Sequence, residues 1–175
     1  MREDLDRPLF LVGFMACGKS TVGRRLAHEL GVDFVDLDLE VETMAGMGIP
    51  EIFARDGEVA FRRMERRALE EVLQRRCPMV VATGGGTPTV GDAMMRMRAT
   101  GWVVYLRVPV NMLVERLKRE RYQRPLIAGL EGEELEHFVI SHLAEREPCY
   151  LEANAVVDAR TVEGDTLLEM LRGRG

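Results

Sequence analysis

With 175 residues, of which 46% are hydrophobic and 30% charged, the chain is expected to form a single globular domain. Its 24 Lys and Arg against 29 Asp and Glu give a formal net charge of −5, which disfavours nucleic acid as a partner. The charged start MREDLDRP, the lack of any apolar run near ~20 residues and three widely spaced cysteines argue against a signal peptide, a membrane span and a disulfide framework, so a cytoplasmic protein is expected.

Short apolar runs alternate with segments of helical periodicity along the chain. Strands are predicted at residues 9–12, 33–38, 79–83, 102–106 and 155–158. Helices are predicted at residues 19–30, 40–48, 49–57, 58–75, 91–99, 110–119, 133–152 and 162–171. Gly31 and Gly57 are read as helix stops. Strands separated by helices predict parallel βαβ units with helices on both faces of the sheet, which is a three-layer α/β/α fold.

The segment after the first strand, GFMACGKS from Gly13 to Ser20, has the spacing G-x-x-x-x-G-K-[ST]. Such a loop wraps polyphosphate with backbone N–H groups, while the following helix points its positive end at the anion. Lys19 is expected to reach the β- and γ-phosphates, and Ser20 to ligate Mg²⁺. Ala16 and Cys17 stand where a further glycine is common, but both are small enough for the loop to close. An ordinary glycine turn is the alternative.

Two aspartates, Asp36 and Asp38, end the predicted second strand in the stretch DLDLE. Ligands bind at the carboxyl ends of parallel strands, and alternation along a strand predicts both side chains on the same side. Neighbouring carboxylates need a cation or a proton to relieve their repulsion, and beside ATP the obvious cation is Mg²⁺. One carboxylate would then support the metal while the other accepts a hydroxyl proton. A solvated acidic turn remains the alternative.

Four further stretches carry candidate chemistry. In FRRME, Arg62 and Glu65 share a helix face, so Glu65 can orient Arg62 for a bidentate grip on a carboxylate. The glycines at residues 84–86 leave backbone N–H groups open to a ligand. The basic run KRERYQRPL suits a mobile flap over phosphates, and REPCY carries Arg146. Each stretch taken singly has an alternative: a surface ion pair for FRRME, a flexible turn for the glycines, a solvated helix end for KRERYQRPL and a helix surface for REPCY.

Together the motifs resemble the shikimate kinases, which have the P-loop fold of the nucleoside monophosphate kinases. The resemblance runs over nearly the whole chain, from GFMACGKSTVG through DLD, IPEIFARDGEVAFRRME, GGG and RPL to REPCY. It implies ATP-dependent phosphorylation of the 3-hydroxyl of shikimate. It also implies one domain over residues 1–175, with a five-stranded parallel sheet in the order 2-3-1-4-5, a substrate segment at about 36–65 and a mobile lid at about 114–130.

The resemblance also implies a role for individual residues. The catalytic residues would be Asp38, Lys19 and Arg124. Shikimate would contact Asp38, Arg62, Gly84, Gly85, Gly86 and Arg146, with Glu65 behind Arg62. ATP would contact Gly13, Ala16, Cys17, Gly18, Lys19, Ser20, Thr21, Arg119 and Arg124. Ser20 and Asp36 would hold Mg²⁺. Arg119 is favoured over Arg121 beside the adenine, and no residue of DARTVEG is assigned. The partners would be ATP and shikimate alone, with the protein a monomer.

Three alternative functions remain. A kinase for another small acceptor, such as gluconate, shares the loop and the fold without requiring Arg62 and Arg146 beside Asp38. A nucleoside monophosphate kinase fits less well, because paired aspartates suit a hydroxyl acceptor better than a phosphate. A non-catalytic nucleotide-binding module predicts the loss of Lys19, Asp38 or Arg124, and all three are present.

Overall fold

Five short strands form a single parallel sheet in the computed structural model, which describes residues 5–173. They are β1 (Leu9–Val12), β2 (Asp33–Asp36), β3 (Met79–Ala82), β4 (Trp102–Arg107) and β5 (Ala155–Asp158). Their spatial order, β2-β3-β1-β4-β5, confirms the predicted order. In the central register, Leu9 lies beside Val80 of β3 and Trp102 of β4. All four residues of β1 are fully buried, as expected for a strand covered by helices on both faces.

Seven helices and two short 3₁₀ turns pack around the sheet within the described part of the chain. The helices are α1 (Lys19–Leu30), α2 (Leu37–Ala45), α3 (Ile49–Arg75), α4 (Ala93–Thr100), α5 (Val110–Glu120), α6 (Gly132–Tyr150) and α7 (Gly164–Arg172). The 3₁₀ turns are Thr87–Thr89 and Arg121–Gln123. Non-helical backbone at Gly57, with φ 82°, interrupts α3 at the predicted stop. None of the helices at residues 5–173 is both long enough and apolar enough to cross a membrane.

The second strand is shorter than predicted, and this corrects the argument about its aspartates. β2 ends at Asp36, and Asp38 lies in the first turn of α2. The reason is local: the Asp36 carboxylate accepts a hydrogen bond from the Asp38 backbone N–H (3.0 Å) and so caps the helix. Strand alternation therefore does not place the two side chains. A helix cap brings them to the same end of the sheet.

The loops after β1, β2 and β3 meet at the carboxyl edge of the sheet, where the order of the strands places them side by side. The sheet beneath this edge is apolar and fixed, with Leu11, Val81 and Val104 fully buried. Rigid strands thus end at a common edge, and the candidate site residues lie there.

Candidate active site

The loop between β1 and α1 turns tightly and carries positive φ angles at several positions. Gly13 (φ 149°) has no room for a side chain, since a Cβ there would lie 2.8 Å from the carbonyl oxygen of Leu106. Ala16 adopts a φ of 61° despite its Cβ, at a cost of about 1 kcal/mol. Cys17 is buried and fills the space beside Gly13. The loop therefore closes with Ala16 and Cys17, and its strained residue faces the cleft.

Lys19, the first residue of α1, is buried beneath this loop. Its Nζ donates to the carbonyl oxygens of Gly13 (2.8 Å) and Phe14 (2.9 Å). These two carbonyl groups partly replace the water that the ammonium group loses on burial. The lysine is thus held at the centre of the loop, lining a cavity of about 560 Å³ that we call the phosphate cavity.

Ser20 and Asp36 are hydrogen-bonded across the phosphate cavity, with the Ser20 hydroxyl donating to Asp36 Oδ2 (2.5 Å). A hydroxyl and a carboxylate are hard oxygen donors, and Mg²⁺ is commonly held by one or two such protein ligands together with phosphate oxygens and water. Within residues 5–173, no group of three or more His, Cys, Asp or Glu side chains is placed to hold a metal. The donor set fits Mg²⁺ brought with ATP better than an all-protein metal site.

A second cavity of about 370 Å³, the acceptor cavity, adjoins the first. Residues shared by both cavities are Met15, Asp38, Gly84, Gly85 and Arg124. Lys19 and Ser20 line the phosphate cavity alone, whereas Arg62 and Arg146 line the acceptor cavity alone. Asp38 therefore stands at the junction, where a group bound in one cavity meets a group bound in the other.

The electrostatics of Asp38 suit a proton acceptor. Burial is the main factor that raises its pKa to about 6, and the negative charges of Asp36 and Glu65 add to it. The positive charges of Lys19 and Arg124 act in the opposite direction. A carboxylate with a pKa near 6 is a stronger base than an ordinary aspartate yet is mostly ionised at neutral pH.

An arginine explains one position of the triple glycine after β3, since a side chain at Gly86 would meet Arg62, whereas one at Gly85 would make only ordinary van der Waals contact with Arg146. A Cβ on Gly86 would lie 2.7 Å from Arg62 Nη1, and a Cβ on Gly85 would lie 3.5 Å from Arg146 Nη1. A side chain at Gly86 would therefore displace the Arg62 guanidinium from the acceptor cavity. Open backbone N–H groups were the predicted reason for these glycines, and the structure adds this steric one.

Arg146 extends from α6 into the acceptor cavity, where its guanidinium lies over the Phe14 ring at 5.8 Å from the centroid. The predicted neighbour of the other arginine is in place, because Arg62 Nη1 donates to Glu65 Oε2 (2.9 Å). Two guanidinium groups from different helices thus line one cavity, which suits a small ligand bearing a carboxylate.

Sequence reasoning assigned no role to Tyr150, the last residue of REPCY. Its side chain is fully buried and its hydroxyl donates to the Gly85 carbonyl oxygen (2.5 Å). Burial also raises the pKa of the Tyr150 phenol, so the group stays a donor. The spacing offered a signal, since Tyr150 follows Arg146 by one helical turn and shares its face.

A family model described as shikimate kinase matches residues 15–171 of the chain. The chain belongs to the shikimate kinase family. The shikimate kinase of Azobacteroides pseudotrichonymphae genomovar. CFP2 is 38% identical over 165 residues, which are 94% of this chain and 97% of that protein. The crystal structure of shikimate kinase from Bacteroides thetaiotaomicron has a TM-score of 0.81 and 36% identity, covering 95% of both chains. A structure of shikimate kinase from Acinetobacter baumannii in complex with shikimate has a TM-score of 0.79 and 38% identity, covering 95% of this chain and 89% of that chain.

One residue assigned from the shikimate kinase resemblance lies outside the phosphate cavity in this structure, and its contact with adenine stays a prediction. Arg119 is exposed and does not line the phosphate cavity, whereas Arg116 does and donates to the Ala16 carbonyl oxygen (3.0 Å). The reason is helical spacing, because Arg116 and Glu120 share the face of α5 that is turned to the cleft. Arg160, from the DARTVEG stretch that received no assignment, lines the same cavity.

Arg124 lies where the two cavities meet, and it is paired with Glu120 in an i,i+4 ion pair (2.6 Å). Arg121, the other lid arginine considered for adenine, points elsewhere and pairs with Glu131 (2.8 Å). The structure thus brings Asp36, Asp38, Arg124 and the phosphate loop to the phosphate cavity, and leaves Arg119 and Arg121 outside it.

Proposed function

We propose that this chain transfers the γ-phosphoryl group of ATP to the 3-hydroxyl of shikimate. The observation that carries the proposal is that Asp38 lies between a phosphate loop and a cavity lined by Arg62 and Arg146. Membership of the shikimate kinase family supports it, as does the likeness to a family structure that holds shikimate.

In the proposed reaction, Arg62 and Arg146 bind the carboxylate of shikimate and so fix the orientation of its ring. The backbone at Gly84–Gly86 closes one wall of the cavity. The 3-hydroxyl lies against Asp38, which takes its proton as the oxygen bonds to the γ-phosphorus. The bond from that phosphorus to the bridging oxygen of the β-phosphate breaks, and ADP leaves. Positioning and charge neutralisation account for most of the rate, as is usual in phosphoryl transfer.

On the ATP side, Lys19 would contact the β- and γ-phosphates, in exchange for the carbonyl oxygens of Gly13 and Phe14 that it now contacts. Ser20 and Asp36 are the residues that would hold Mg²⁺, which when bound neutralises charge on the phosphates. Arg124 would leave Glu120 and contact the transferring group.

The lid is proposed to span residues 114–130 and to be mobile without ligand. Its outer part is held by turn hydrogen bonds, such as Ile127 N to Arg124 O (3.1 Å), with the side chain of Ile127 buried as an anchor. Hydrogen exchange at residues 119–130 should be faster than in β1 and should slow when ATP and shikimate are added. Exchange as slow there as in the sheet would contradict a lid. A monomer in the cytoplasm completes the proposal, and sedimentation of the purified chain tests the monomer.

The proposal is tested by measuring ADP release with shikimate, gluconate and nucleoside monophosphates offered in turn. A response to shikimate alone supports it, and the product should carry the phosphate on the 3-hydroxyl. A preference for gluconate, or no turnover of any acceptor by folded protein that binds ATP, would overturn it.

A further inference from the structure

A buried carboxylate behind the acceptor cavity has both of its oxygens committed. Glu65 on α3 is 3% exposed, and its Oε2 accepts from Arg62 Nη1 (2.9 Å). Its Oε1 accepts from the hydroxyl of Thr87 (2.6 Å), a side chain that is also 3% exposed. The hydrogen bonds therefore run from Thr87 through Glu65 to Arg62, linking the turn after β3 to α3.

The Thr87 end of this chain is rigid. Thr87 begins a 3₁₀ turn, its backbone N–H donates to the Gly84 carbonyl oxygen (3.3 Å), and Pro88 restricts the backbone that follows. Thr89 adds a hydrogen bond from its hydroxyl to the Gly86 carbonyl oxygen (2.8 Å). The Thr87 hydroxyl is therefore a fixed donor, and the Glu65 side chain is held against it.

The Glu65 carboxylate also has little room to move. It lies against the backbone of Gly84, so closely that a Cβ there would overlap Oε1. Arg62 also has a second partner, because its Nη2 lies 3.3 Å from Glu58, an exposed carboxylate one helical turn earlier. The guanidinium thus sits between a buried partner on the cavity side and an exposed partner toward solvent, and the Thr87 hydrogen bond favours the buried one.

We propose that Thr87 is a positioning residue for the acceptor cavity, which acts through Glu65 to set the Arg62 guanidinium. This inference rests on the proposed function in so far as Arg62 binds the acceptor. Without the Thr87 hydroxyl, Glu65 loses its fixed donor, and Arg62 spends more of its time toward Glu58. The acceptor then meets a less ordered cation, while the phosphate cavity is unchanged because it is lined by neither Glu65 nor Arg62, both of which line the acceptor cavity.

The test compares Thr87→Val, which keeps the shape and loses the hydroxyl, with Thr87→Ser, which keeps the hydroxyl. Thr87→Val should raise the KM for shikimate about five- to tenfold and leave the KM for ATP within about twofold. Thr87→Ser should stay close to wild type. Thr100→Val removes a threonine hydroxyl that bonds within α4 (2.8 Å to the Arg96 carbonyl oxygen) and should change neither KM.

Three results would overturn the inference: an unchanged shikimate KM in Thr87→Val, equal changes in both KM values, or a Thr87→Ser variant as impaired as Thr87→Val. If Thr87→Val does not fold, Thr87→Ala replaces it, because alanine puts no extra methyl group against the carboxylate.

A second measurement separates this inference from the proposed function. The ¹⁵N-correlated Nε–H resonance of Arg62, assigned by its loss in Arg62→Lys, is recorded without any ligand. It should shift or broaden in Thr87→Val and stay in place in Thr87→Ser and Thr100→Val. If the wild type does not use shikimate, the proposed function fails and this resonance alone decides the inference. An unchanged Arg62 resonance in Thr87→Val overturns it.

Discussion

The acceptor cavity and the phosphate cavity differ in what holds their charged side chains. In the acceptor cavity, Arg62 is bonded to buried Glu65, and the hydroxyl of Tyr150 supports Gly85 from behind. In the phosphate cavity, Lys19 bonds to carbonyl groups of its own loop and Arg124 pairs with a partly exposed glutamate. The first set of contacts leaves the groups proposed to bind shikimate along an open cavity, whereas the second occupies the groups proposed to bind ATP.

The two cavities therefore differ in how far their side chains are already placed for a substrate before it binds. A preorganised cavity loses little entropy on binding, so removing one of its side chains should weaken one ligand selectively. In the phosphate cavity, ATP bound as proposed would have to replace the internal partners of Lys19 and Arg124, so removing such a partner should strengthen ATP binding.

The largest effect is expected at Asp38, one of the residues that line both cavities. Asp38→Asn should lower turnover about a thousandfold, because the amide does not accept the hydroxyl proton, while ATP binding stays near wild type. Turnover by rapid-quench assay and ATP affinity by calorimetry check this. Turnover within a few-fold of wild type would remove Asp38 from the role of base.

The next effect should be confined to the acceptor cavity. Arg62→Ala and Arg146→Ala should each raise the KM for shikimate about 10- to 100-fold through the loss of charge-assisted hydrogen bonds, with the KM for ATP unchanged. Arg63→Ala is the matched control, because Arg63 is the exposed neighbour on α3 and lines neither cavity. An equal rise in the KM for shikimate and the KM for ATP in either variant would indicate a folding defect and would contradict the proposed difference between the cavities.

The sequence was sufficient for the fold because its signals are local and repeated. Apolar runs such as Leu9–Val12 mark strands, and Gly31 marks the end of α1. The sheet order followed from the family resemblance, the position of the phosphate loop after the first strand followed from its motif spacing, and both are confirmed. The site was predictable as far as motif spacing reached: Arg62 beside Glu65, and Ser20 near Asp36.

The remainder depended on contacts that spacing does not encode. Asp38 was placed on a strand because alternation explains a D-x-D pattern as well as a helix cap does, and only the hydrogen bond from its N–H to Asp36 separates the two. Arg119 was favoured over Arg121 and Arg116 was not considered, because the face of α5 that packs toward the cleft is set by tertiary contacts. The Thr87–Glu65 hydrogen bond joins residues 22 positions apart, and no local pattern in the sequence predicts it.

The raised pKa of Asp38 predicts an opposite effect of the same substitution on stability. Its folded-state pKa of about 6 lies above the ordinary 3.8, so the penalty for holding the charge is absent below about pH 4 and is complete above pH 6. Asp38→Asn should therefore stabilise the protein at pH 7.5, by an amount on the order of 2 kcal/mol. Urea unfolding of both proteins at pH 7.5 and 4.5 measures the difference, which should shrink at the lower pH. A variant less stable than wild type at pH 7.5 would contradict a strained carboxylate at the junction of the cavities.

The smallest expected effect has an unusual sign, and it tests the phosphate cavity most directly. Glu120→Gln removes the negative charge that holds Arg124, and an i,i+4 pair of this kind contributes about 0.3–0.5 kcal/mol. ATP affinity should therefore rise about twofold, with the KM for shikimate unchanged. Glu115→Gln is the matched control: it makes the same charge change on α5, but Glu115 pairs with Lys118 away from the cleft. Weaker ATP binding in Glu120→Gln would mean that Glu120 directs Arg124 toward the phosphates and does not withhold it. An equal gain in ATP affinity in both variants would mean that the effect comes from the change in net charge alone.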